Sequence, residues 1–557
     1  MQKLKIPVGI SDFAEIRENG YYYIDKSGLI KEILNEEATK VTLITRPRRF
    51  GKTLAMSMLA NFFDITKKSE QLFSNLQIEG YPELCSGWMN KYPVLFLSFK
   101  DVDGNTFENA FGLLKFTLSQ FCDAHAYLEN NEKVTDLQRA VFERLRNQRA
   151  ELVDVQSSLL ILLKMMQTYY EKPVILLLDE YDVPLAKASN KGYYEEMMEV
   201  VKIMLSTALK DNSSLKFAVV TGCLKIAKES IFTGTNNFVS DTITSTRYEE
   251  FFGFTQKDVD QILQDADAVA YSACIKRWYD GYRFGNFDVY CPWDVMNYIR
   301  DIQHDSDAKP KGYWKNTSDN AIIRSFIDFA GDTITSKLET LLSGGYIVEQ
   351  IEENLTYDYL HSSEENLWSI LFLTGYLTKV CDRDVQQPFP EELTALRIPN
   401  EEIRDIFETT VKKWFNDNAK TWNRKMLFEA VWNGDSDAIT KEMSQLLRMT
   451  ISYHDYREDF YHAFLAGIFT GAGYVVQSNK EYGEGRSDVV VFDSRRGRVA
   501  VFEAKYVKEL KRLEQGCDEA IRQIDERQYA AEFEDNYDEV FCYGISFYKK
   551  RCMVKRK

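Results

Sequence analysis

An apolar run near the start of the chain leads through a basic loop into an amphipathic helix, and this order limits the folds that the chain can adopt. Residues 41–45 form the run, residues 46–53 form the loop, and the sequence that follows repeats apolar residues at helical spacing. This order predicts a buried strand, a turn and a helix. The amide groups and the dipole at the start of such a helix favour an anion in the turn. The segment therefore predicts a phosphate-binding loop.

The residues of the loop have expected parts in holding phosphates. Lys52 can reach the β- and γ-phosphates of a nucleotide, and the hydroxyl of Thr53 can ligate Mg²⁺. Arg46 stands where the usual pattern has a glycine, so the order of strand, loop and helix has to support the prediction. The alternative is an exposed basic turn before a helix. The other loop residues expected to contact the nucleotide, together with Arg46, are Arg48, Arg49, Phe50 and Gly51.

A second apolar run ends in two carboxylates that complete the expected site. Residues 174–178 predict a buried strand, and Asp179 and Glu180 follow it directly. We expect Asp179 to hold Mg²⁺ and Glu180 to act as the general base for an attacking water. Thr221, at the end of the apolar run 217–221, is a candidate sensor of the γ-phosphate. The alternative for the two carboxylates is a solvated strand end.

The pattern along the chain predicts an α/β protein in three parts. Short apolar runs alternate with amphipathic helices as far as residue 240, which predicts a parallel sheet with flanking helices. Residues 241–445 predict mainly helices. From residue 446 the predicted order is α-β-β-β-α-β. The change of pattern at these points suggests separate domains.

Composition limits the partners and the compartment. Lys and Arg number 69 against 85 Asp and Glu, a net charge of −16, so the whole chain is not a general polyanion binder. The basic residues between 549 and 557 are interpreted as solvated tail charge rather than as a nucleic-acid patch. Nine cysteines without a CxxC pair indicate a reducing compartment, and no apolar run has membrane-spanning length. We therefore expect a cytoplasmic protein with no membrane partner.

Three charged residues in the last part of the chain indicate phosphodiester chemistry. Glu503 and Lys505 lie two apart on a predicted strand and so share a face, and Asp488 lies on the preceding strand. Two carboxylates from neighbouring strands make an oxygen-ligand site for Mg²⁺. A lysine beside them can orient water or stabilise developing charge on phosphorus. The alternative is a charged strand face in solvent.

At these residues the chain resembles the bacterial AAA-ATPase-like proteins that carry a C-terminal PD-(D/E)XK nuclease-superfamily domain. The resemblance covers essentially the whole chain, and it implies a P-loop ATPase fold that binds ATP. The matching segments of the first two parts are PVGISDF (7–13), YIDKS (23–27), RPRRFGKT (46–53), LDEYDVP (178–184), FFGFT (251–255) and WYDGY (278–282).

The resemblance also assigns roles in the last part of the chain. It implies that Asp488 and Glu503 are metal ligands, that Lys505 is the catalytic lysine, and that the helix acid Glu458 completes the metal site. A further pair resembles the Gln-x-x-x-Tyr signature of some nucleases of this superfamily. These two residues, Gln523 and Tyr529, are six apart instead of four, which makes Gln523 a weak candidate for contacting DNA and leaves Tyr529 in doubt.

Taken together, these patterns predict four domains and two possible functions. The expected domains are an ATPase core (1–240), a helical lid-like region (241–345), a helical connector (346–445) and a nuclease-like domain (446–557). One function is cleavage of nucleic acid, with DNA favoured, coupled to ATP and dependent on Mg²⁺. The alternative is a non-catalytic, ATP-gated module that binds nucleic acid or protein. The helical middle region is a candidate surface for a protein partner or for a second copy of the chain.

Overall fold

A computed structural model of the chain describes most of its residues, and these form two compact units. The units are residues 1–318 with 348–404, and residues 319–347 with 405–557. They group the residues differently from the four predicted domains, whose borders stay a prediction. The described residues are 3–36, 39–225, 238–314, 337–338, 340–355, 364–385, 389–390, 392–410, 425–450, 461, 464–466, 468–469, 474–482, 485–494, 496–549 and 551–557.

The first unit is built on a five-stranded sheet. Its strand order is β2-β3-β4-β1-β5, and each pairing runs parallel. All six residues of β3 are buried, as expected for a central strand covered on both faces. The parallel sheet predicted from the alternating pattern is thus confirmed. Its strands are β1 (Val41–Thr45), β2 (Val94–Ser98), β3 (Val174–Asp179), β4 (Leu215–Gly222) and β5 (Phe238–Asp241).

Helices occupy most of the connections between these strands and continue after β5. The helix α3, which follows the basic loop, buries ten of its twelve residues. Helices α6 and α10 each begin with a capping box, in which a threonine accepts a bond from the third helical amide. The helices of this unit are α1 (Phe13–Glu18), α2 (Gly28–Asn35), α3 (Lys52–Phe63), α4 (Pro82–Trp88), α5 (Phe107–Ala124), α6 (Asp136–Arg146), α7 (Leu152–Tyr170), α8 (Val183–Lys191), α9 (Tyr194–Leu209), α10 (Gln256–Asp265), α11 (Ser272–Tyr279), α12 (Pro292–His304) and α13 (Glu364–Leu373).

The middle of the chain also contains strands, which the prediction of mainly helices did not include. An antiparallel pair, β6 (Tyr282–Phe284) and β7 (Phe287–Val289), lies between α11 and α12. A three-stranded sheet has the order β8-β10-β9. Its strands are β8 (Ile347–Gln350), β9 (Thr378–Lys379) and β10 (Leu393–Arg397).

The second unit contains a five-stranded mixed sheet in the order β11-β12-β13-β14-β15. Strands β13 and β14 are parallel and the other pairs are antiparallel, so the parallel pair needs a crossover, which α16 provides. The predicted succession of three strands, a helix and a strand is present here, and a further strand, β15, follows it. The helix predicted before these strands lies mostly outside the described residues. The elements are α14 (Lys425–Asn433), α15 (Ser436–Thr450), β11 (Val475–Tyr482), β12 (Gly485–Asp493), β13 (Arg498–Tyr506), α16 (Leu513–Glu526), α17 (Ala531–Glu534), β14 (Glu539–Tyr548) and β15 (Arg551–Arg556).

The last strand corrects the interpretation of the C-terminal basic residues as a solvated tail. Cys552 and Val554 alternate along β15 and are buried, 4% and 3% exposed, so the segment packs as an edge strand. The Lys555 ammonium lies 2.7 Å from the Asp518 carboxylate and 3.1 Å from that of Glu514. The basic charge is therefore partly neutralised by acidic residues of α16.

Among the described residues, every helix is too short or too polar to cross a bilayer.

Candidate nucleotide site and candidate nuclease site

The basic loop folds around the ammonium group of Lys52. Lys52 Nζ donates to the carbonyl oxygens of Arg46 and Pro47, both at 3.0 Å, and its side chain is almost fully buried. Gly51 precedes the helix with φ 86°, a left-handed conformation that favours glycine. Burial disfavours the charged lysine, but its acidic surroundings, which include Glu180, raise the pKa of Lys52 overall. The loop therefore holds a buried cation beside the free amides of α3.

Three of the predicted site residues meet at the carboxyl ends of the strands. The Asp179 carboxylate, at the end of β3, accepts hydrogen bonds from the hydroxyls of Thr53 at 2.9 Å and Thr221 at 2.7 Å. Ser98, at the end of β2, donates a longer bond of 3.3 Å. Asp179 has no exposed surface, and burial raises the pKa of its carboxyl group. The parallel sheet and the loop thus bring three hydroxyls together on one carboxylate.

Residues 180–182 connect this edge to the segment that follows β4. Glu180 has φ 55°, an unusual left-handed backbone for a non-glycine residue. The Asp182 carboxylate accepts bonds from the amides of Cys223 and Leu224 at 2.9 and 3.0 Å, and the Tyr181 hydroxyl donates to the Leu224 carbonyl at 2.9 Å. The sequence prediction overlooked Asp182, although it lies in the LDEYDVP segment.

Arg46 is placed differently from the other loop residues. Its guanidinium has no exposed surface and bonds the Asp241 carboxylate, at the end of β5, at 2.7 Å. It also donates to the carbonyls of Asp241 and Thr45 and lies over the rings of Phe252 and Phe284. The sequence predicts that the Arg46 side chain contacts the nucleotide. The structure contradicts this prediction, because the guanidinium points into the interior of the protein. Where the usual pattern has a glycine, this chain has a buried ion pair.

Of the other loop side chains, Phe50 and Arg49 contact distant segments of the chain, and Arg48 is partly exposed. Phe50 is 1% exposed and packs edge-to-face on Tyr282, with ring centroids 4.9 Å apart, so it anchors the loop in the core. Arg49 donates to the Tyr313 carbonyl at 3.0 Å, and its guanidinium lies 5.0 Å from the centre of the Trp293 ring. Arg48 is partly exposed on the same loop.

A cavity of about 300 Å³ adjoins the loop. Gly51, Lys52, Thr53 and Glu180 line it together with the charged residues Lys26 and Arg49, and most of the other lining residues are apolar. A volume of this size lies at the lower end of the range of small-molecule sites. The described residues that form the apolar walls include Ile10, Tyr23, Met58, Phe254, Trp293 and Met296.

In the second unit, the predicted carboxylates lie on adjacent strands. Val489 of β12 is paired with Phe502 of β13, and Asp488 and Glu503 are the next residues of the two strands. The Asp488 carboxylate accepts the amide of Ala504 at 2.7 Å, which ties it to β13. Glu503 has no exposed surface.

Lys505 completes this cluster. Its ammonium donates to the Glu503 carboxylate at 3.0 Å, and its side chain is 22% exposed. The cluster is therefore reachable from solvent through the lysine. Glu458, predicted to complete the metal site, lies outside the described residues, as does the neighbouring His462.

The structure also brings the Gln523 and Tyr529 side chains together despite their spacing. The Gln523 amide donates to the Tyr529 hydroxyl at 3.4 Å. This is possible because α16 ends at Glu526 and the chain turns back at Gln528, which has φ 53°. Burial raises the pKa of Tyr529, and the charges of Glu503 and Asp488 act in the same direction.

The oxygens of both clusters suit a hard divalent cation. Thr53 and Asp179 supply a hydroxyl and a carboxylate, to which a nucleotide and water would add ligands, and Asp488 with Glu503 supply two carboxylates. In the part of the chain that the structure describes, no group of three or more His, Cys, Asp or Glu side chains forms a ready metal cage. A cation at either site would need further ligands from substrate, from water or, at the second site, from the predicted Glu458, which lies outside the described residues.

Comparison with known proteins finds a matching family for each of the two regions that contain a candidate site. Residues 7–232 match the family described as "Predicted AAA-ATPase", and residues 456–557 match the "PD-(D/E)XK nuclease superfamily". The chain joins an AAA-ATPase-like domain to a nuclease-superfamily domain. The two-domain resemblance seen in the sequence is thereby confirmed, and each candidate cluster lies inside one of the matches.

A relative of nearly the same length is known. The "Uncharacterized protein in vnfD 5'region" of Azotobacter chroococcum mcd 1 is 25% identical over 570 residues, which covers 98% of this chain and 97% of that protein. The similarity therefore extends through the middle region as well as through the two matched domains.

Proposed function

We propose that the AAA-ATPase-like domain binds and hydrolyses ATP at the loop of residues 46–53. The observation that carries this proposal is the meeting of Thr53 and Thr221 on the Asp179 carboxylate, with the buried ammonium of Lys52 on the residue that precedes Thr53. Such a set combines a cation for phosphate oxygens with hard donors for Mg²⁺. When bound, Mg²⁺ would neutralise phosphate charge beside Thr53 and Asp179.

The residues of this chain have separate parts in the reaction. Lys52 and the amides at the start of α3 attract the phosphates. Glu180 lines the same cavity as Lys52 and Thr53, and it would orient the attacking water and accept its proton. Thr221 would contact the γ-phosphate from β4, since its hydroxyl lies on the same carboxylate as that of Thr53.

ATP binding by the purified full chain tests this proposal. Lys52→Ala should lose most ATP affinity, because the buried cation between the loop carbonyls disappears. Lys164→Ala is the matched control, since Lys164 is an exposed lysine on α7. Equal ATP affinity for wild type and Lys52→Ala in calorimetric titrations would contradict the assignment of the loop.

We further propose that the nuclease-superfamily domain hydrolyses phosphodiester bonds, with DNA as the favoured substrate. The supporting observation is the placement of Asp488 and Glu503 at neighbouring strand positions, with the Lys505 ammonium 3.0 Å from Glu503. The carboxylates, together with Glu458, would hold Mg²⁺, which supplies Lewis-acid assistance at phosphorus. Lys505 would orient the attacking water or stabilise charge on the phosphate.

A supercoiled-plasmid assay with Mg²⁺ or Mn²⁺, with and without ATP, tests the second proposal. Wild type should nick the plasmid and Lys505→Ala should not. Lys508→Ala is the control, because Lys508 is an exposed lysine three residues further along. ATP should change the rate for wild type and leave it unchanged for Lys52→Ala. Intact plasmid under every condition, combined with ATP binding, would favour the non-catalytic, ATP-gated binding module instead.

A further inference from the structure

We infer that four lysines at the amino edge of the parallel sheet in the first unit form a binding surface for the backbone of duplex DNA. We call this set the lysine row, and it consists of Lys40, Lys91, Lys172 and Lys216. All five strands of the sheet run in the same direction, so their amino ends lie at the edge opposite to Asp179 and Thr221. The inference goes beyond the proposed functions, because this edge belongs to neither candidate site.

The sequence places one member of the lysine row at the start of each of four adjacent strands. Lys91, Lys172 and Lys40 precede β2, β3 and β1 by one to three residues, and Lys216 is the second residue of β4. The strand order β2-β3-β4-β1 therefore arranges the four residues in a line. Neighbouring strands are about 4.8 Å apart, so the four strand starts span about 14 Å.

Backbone carbonyl groups join the members of the lysine row to one another. The Lys172 ammonium donates to the carbonyl oxygen of Lys91 at 3.0 Å. The Lys40 ammonium donates to the carbonyl oxygens of Leu215 and Lys216, both at 3.1 Å. These bonds hold the ammonium groups close to the strand starts, and an uncharged carbonyl leaves the positive charge in place.

Two aromatic rings hold the middle of the lysine row. The Lys216 ammonium lies 5.1 Å from the ring centre of Trp88 and 5.6 Å from that of Tyr92. The Lys172 ammonium lies 6.0 Å from the Tyr92 ring centre on its own side of the row. A ring face attracts a cation through its quadrupole and carries no net charge. The positive charge of both lysines therefore stays available to a partner.

The described residues do not neutralise the lysine row. Among them, no carboxylate oxygen lies within 4.0 Å of any of its four ammonium groups. Of the carboxylates that lie near the row in sequence, Glu171 is paired with Lys133 at 2.6 Å, and Asp211 directly follows Lys210, whose charge offsets its own. Two members of the row are exposed and two are partly exposed. A chain with a net charge of −16 thus carries a local positive surface here.

Duplex DNA is the partner whose charge fits this line. Each of its strands carries one phosphate per about 3.4 Å of helix axis, so a line of about 14 Å can face about four phosphates. The lysines are held at fixed strand positions, which suits phosphates that are also at a fixed spacing. A flexible single strand or acidic peptide would lose conformational entropy on lying along the same line. Contacts to phosphate carry no sequence information, so duplexes of different sequence should bind alike.

Binding of the full chain to a short fluorescent duplex, in EDTA to prevent cation-dependent cleavage, tests the inference. The variant replaces all four members of the lysine row by glutamine, which removes the charge and keeps a donor for the carbonyl groups. Each phosphate contact adds about 0.9 to the slope of log affinity against log salt concentration, so the slope should fall by about 3 to 4. The affinity at about 0.1 M salt should fall at least about tenfold.

The matched control replaces four exposed lysines elsewhere in the first unit by glutamine and so changes the net charge equally. They are Lys3, Lys257, Lys276 and Lys309. The control should keep most of the DNA affinity and of the salt dependence of wild type, and urea unfolding shows that each variant is folded. Lys91→Gln alone changes one exposed side chain, so it keeps the test valid if the fourfold variant is unstable. Its slope should fall by about 1.

The inference is wrong if the lysine-row variant and the control have the same DNA affinity and salt dependence, or if wild type does not bind the duplex. Phosphatidylserine vesicles and a single strand of the same length are the comparison ligands. If the variant loses affinity for one of these ligands and keeps its affinity for the duplex, the row binds that ligand and duplex DNA is refuted. ATP affinity of Lys52→Ala and plasmid nicking by Lys505→Ala remain separate tests of the two proposed sites.

Discussion

Replacing Arg46 separates two explanations for an arginine at the start of a phosphate-binding loop. If the guanidinium contacted phosphates, its loss would weaken ATP binding and leave the free energy of unfolding nearly unchanged. In the structure it forms a fully buried ion pair with Asp241 at 2.7 Å, with side chains 0% and 1% exposed. We therefore expect Arg46→Met to destabilise the first unit, because a buried carboxylate would lose its compensating charge.

The size of the effect follows from burial. Removing one partner of a buried ion pair costs about 3–5 kcal/mol, whereas replacing both partners by apolar residues is often neutral or stabilising. Arg46→Met should thus lower the free energy of unfolding by about 3–5 kcal/mol, and Arg46→Met/Asp241→Leu should recover most of that loss. Burial already raises the pKa of Asp241 against the effect of Arg46, so the deficit of Arg46→Met should grow as pH rises above the range where the carboxyl is protonated.

Urea unfolding followed by tryptophan fluorescence measures this prediction. With an m value of about 3 kcal/mol/M, the midpoint of Arg46→Met should fall by more than about 1 M. Arg247→Met is the control, because Arg247 is about one-third exposed and its nearest approach to the Asp241 carboxylate is 4.0 Å. The control should change the stability by less than about 1 kcal/mol. An unchanged midpoint for Arg46→Met, with weakened ATP binding, would refute the ion-pair reasoning.

Three further predictions concern carboxylates of the first unit. Asp182→Ala should lower the free energy of unfolding, measured by urea titration, by about 1–3 kcal/mol for each of the Cys223 and Leu224 amides left unpaired, and Asp182→Asn should restore part of the loss. Glu180→Gln should lower ATP turnover about 10²–10⁴-fold in single-turnover assays while ATP affinity is kept. Burial raises the pKa of Glu402 far above its ordinary value, so the folded state keeps a proton that the unfolded state releases above about pH 5, and stability falls as pH rises. The urea midpoint of Glu402→Gln should therefore change less than that of wild type between about pH 6 and pH 9.

Local sequence patterns are sufficient to predict much of the fold and part of the candidate sites. The strand, loop and helix around Lys52 follow from an apolar run, a glycine and helical spacing, and all of these lie within a few turns of chain. Asp179 could be placed at a sheet edge because it ends a continuous apolar run, and parallel strands present their carboxyl ends at one edge. The alternation of Glu503 and Lys505 likewise fixes their common face on β13.

Contacts between distant segments cannot be predicted from these local sequence patterns. The partner of Arg46 lies 195 residues away, and nothing in the basic loop distinguishes a buried ion pair from a phosphate contact. A spacing of six residues separates Gln523 and Tyr529 if both lie on one helix. In the structure the helix ends between them and the chain turns back, which brings the two side chains together.

The sequence alone determined many of the elements, above all those around the two candidate sites, since helix and strand periods, glycine positions and apolar runs act over neighbouring residues. It also determined the chemical types available to each site. Only the tertiary structure decided which charges are buried, which donors lack acceptors and which side chains border the cavity. Those properties depend on the removal of water and on the approach of segments far apart in the chain, as in the enclosure of Arg46 by Asp241, Phe252 and Phe284.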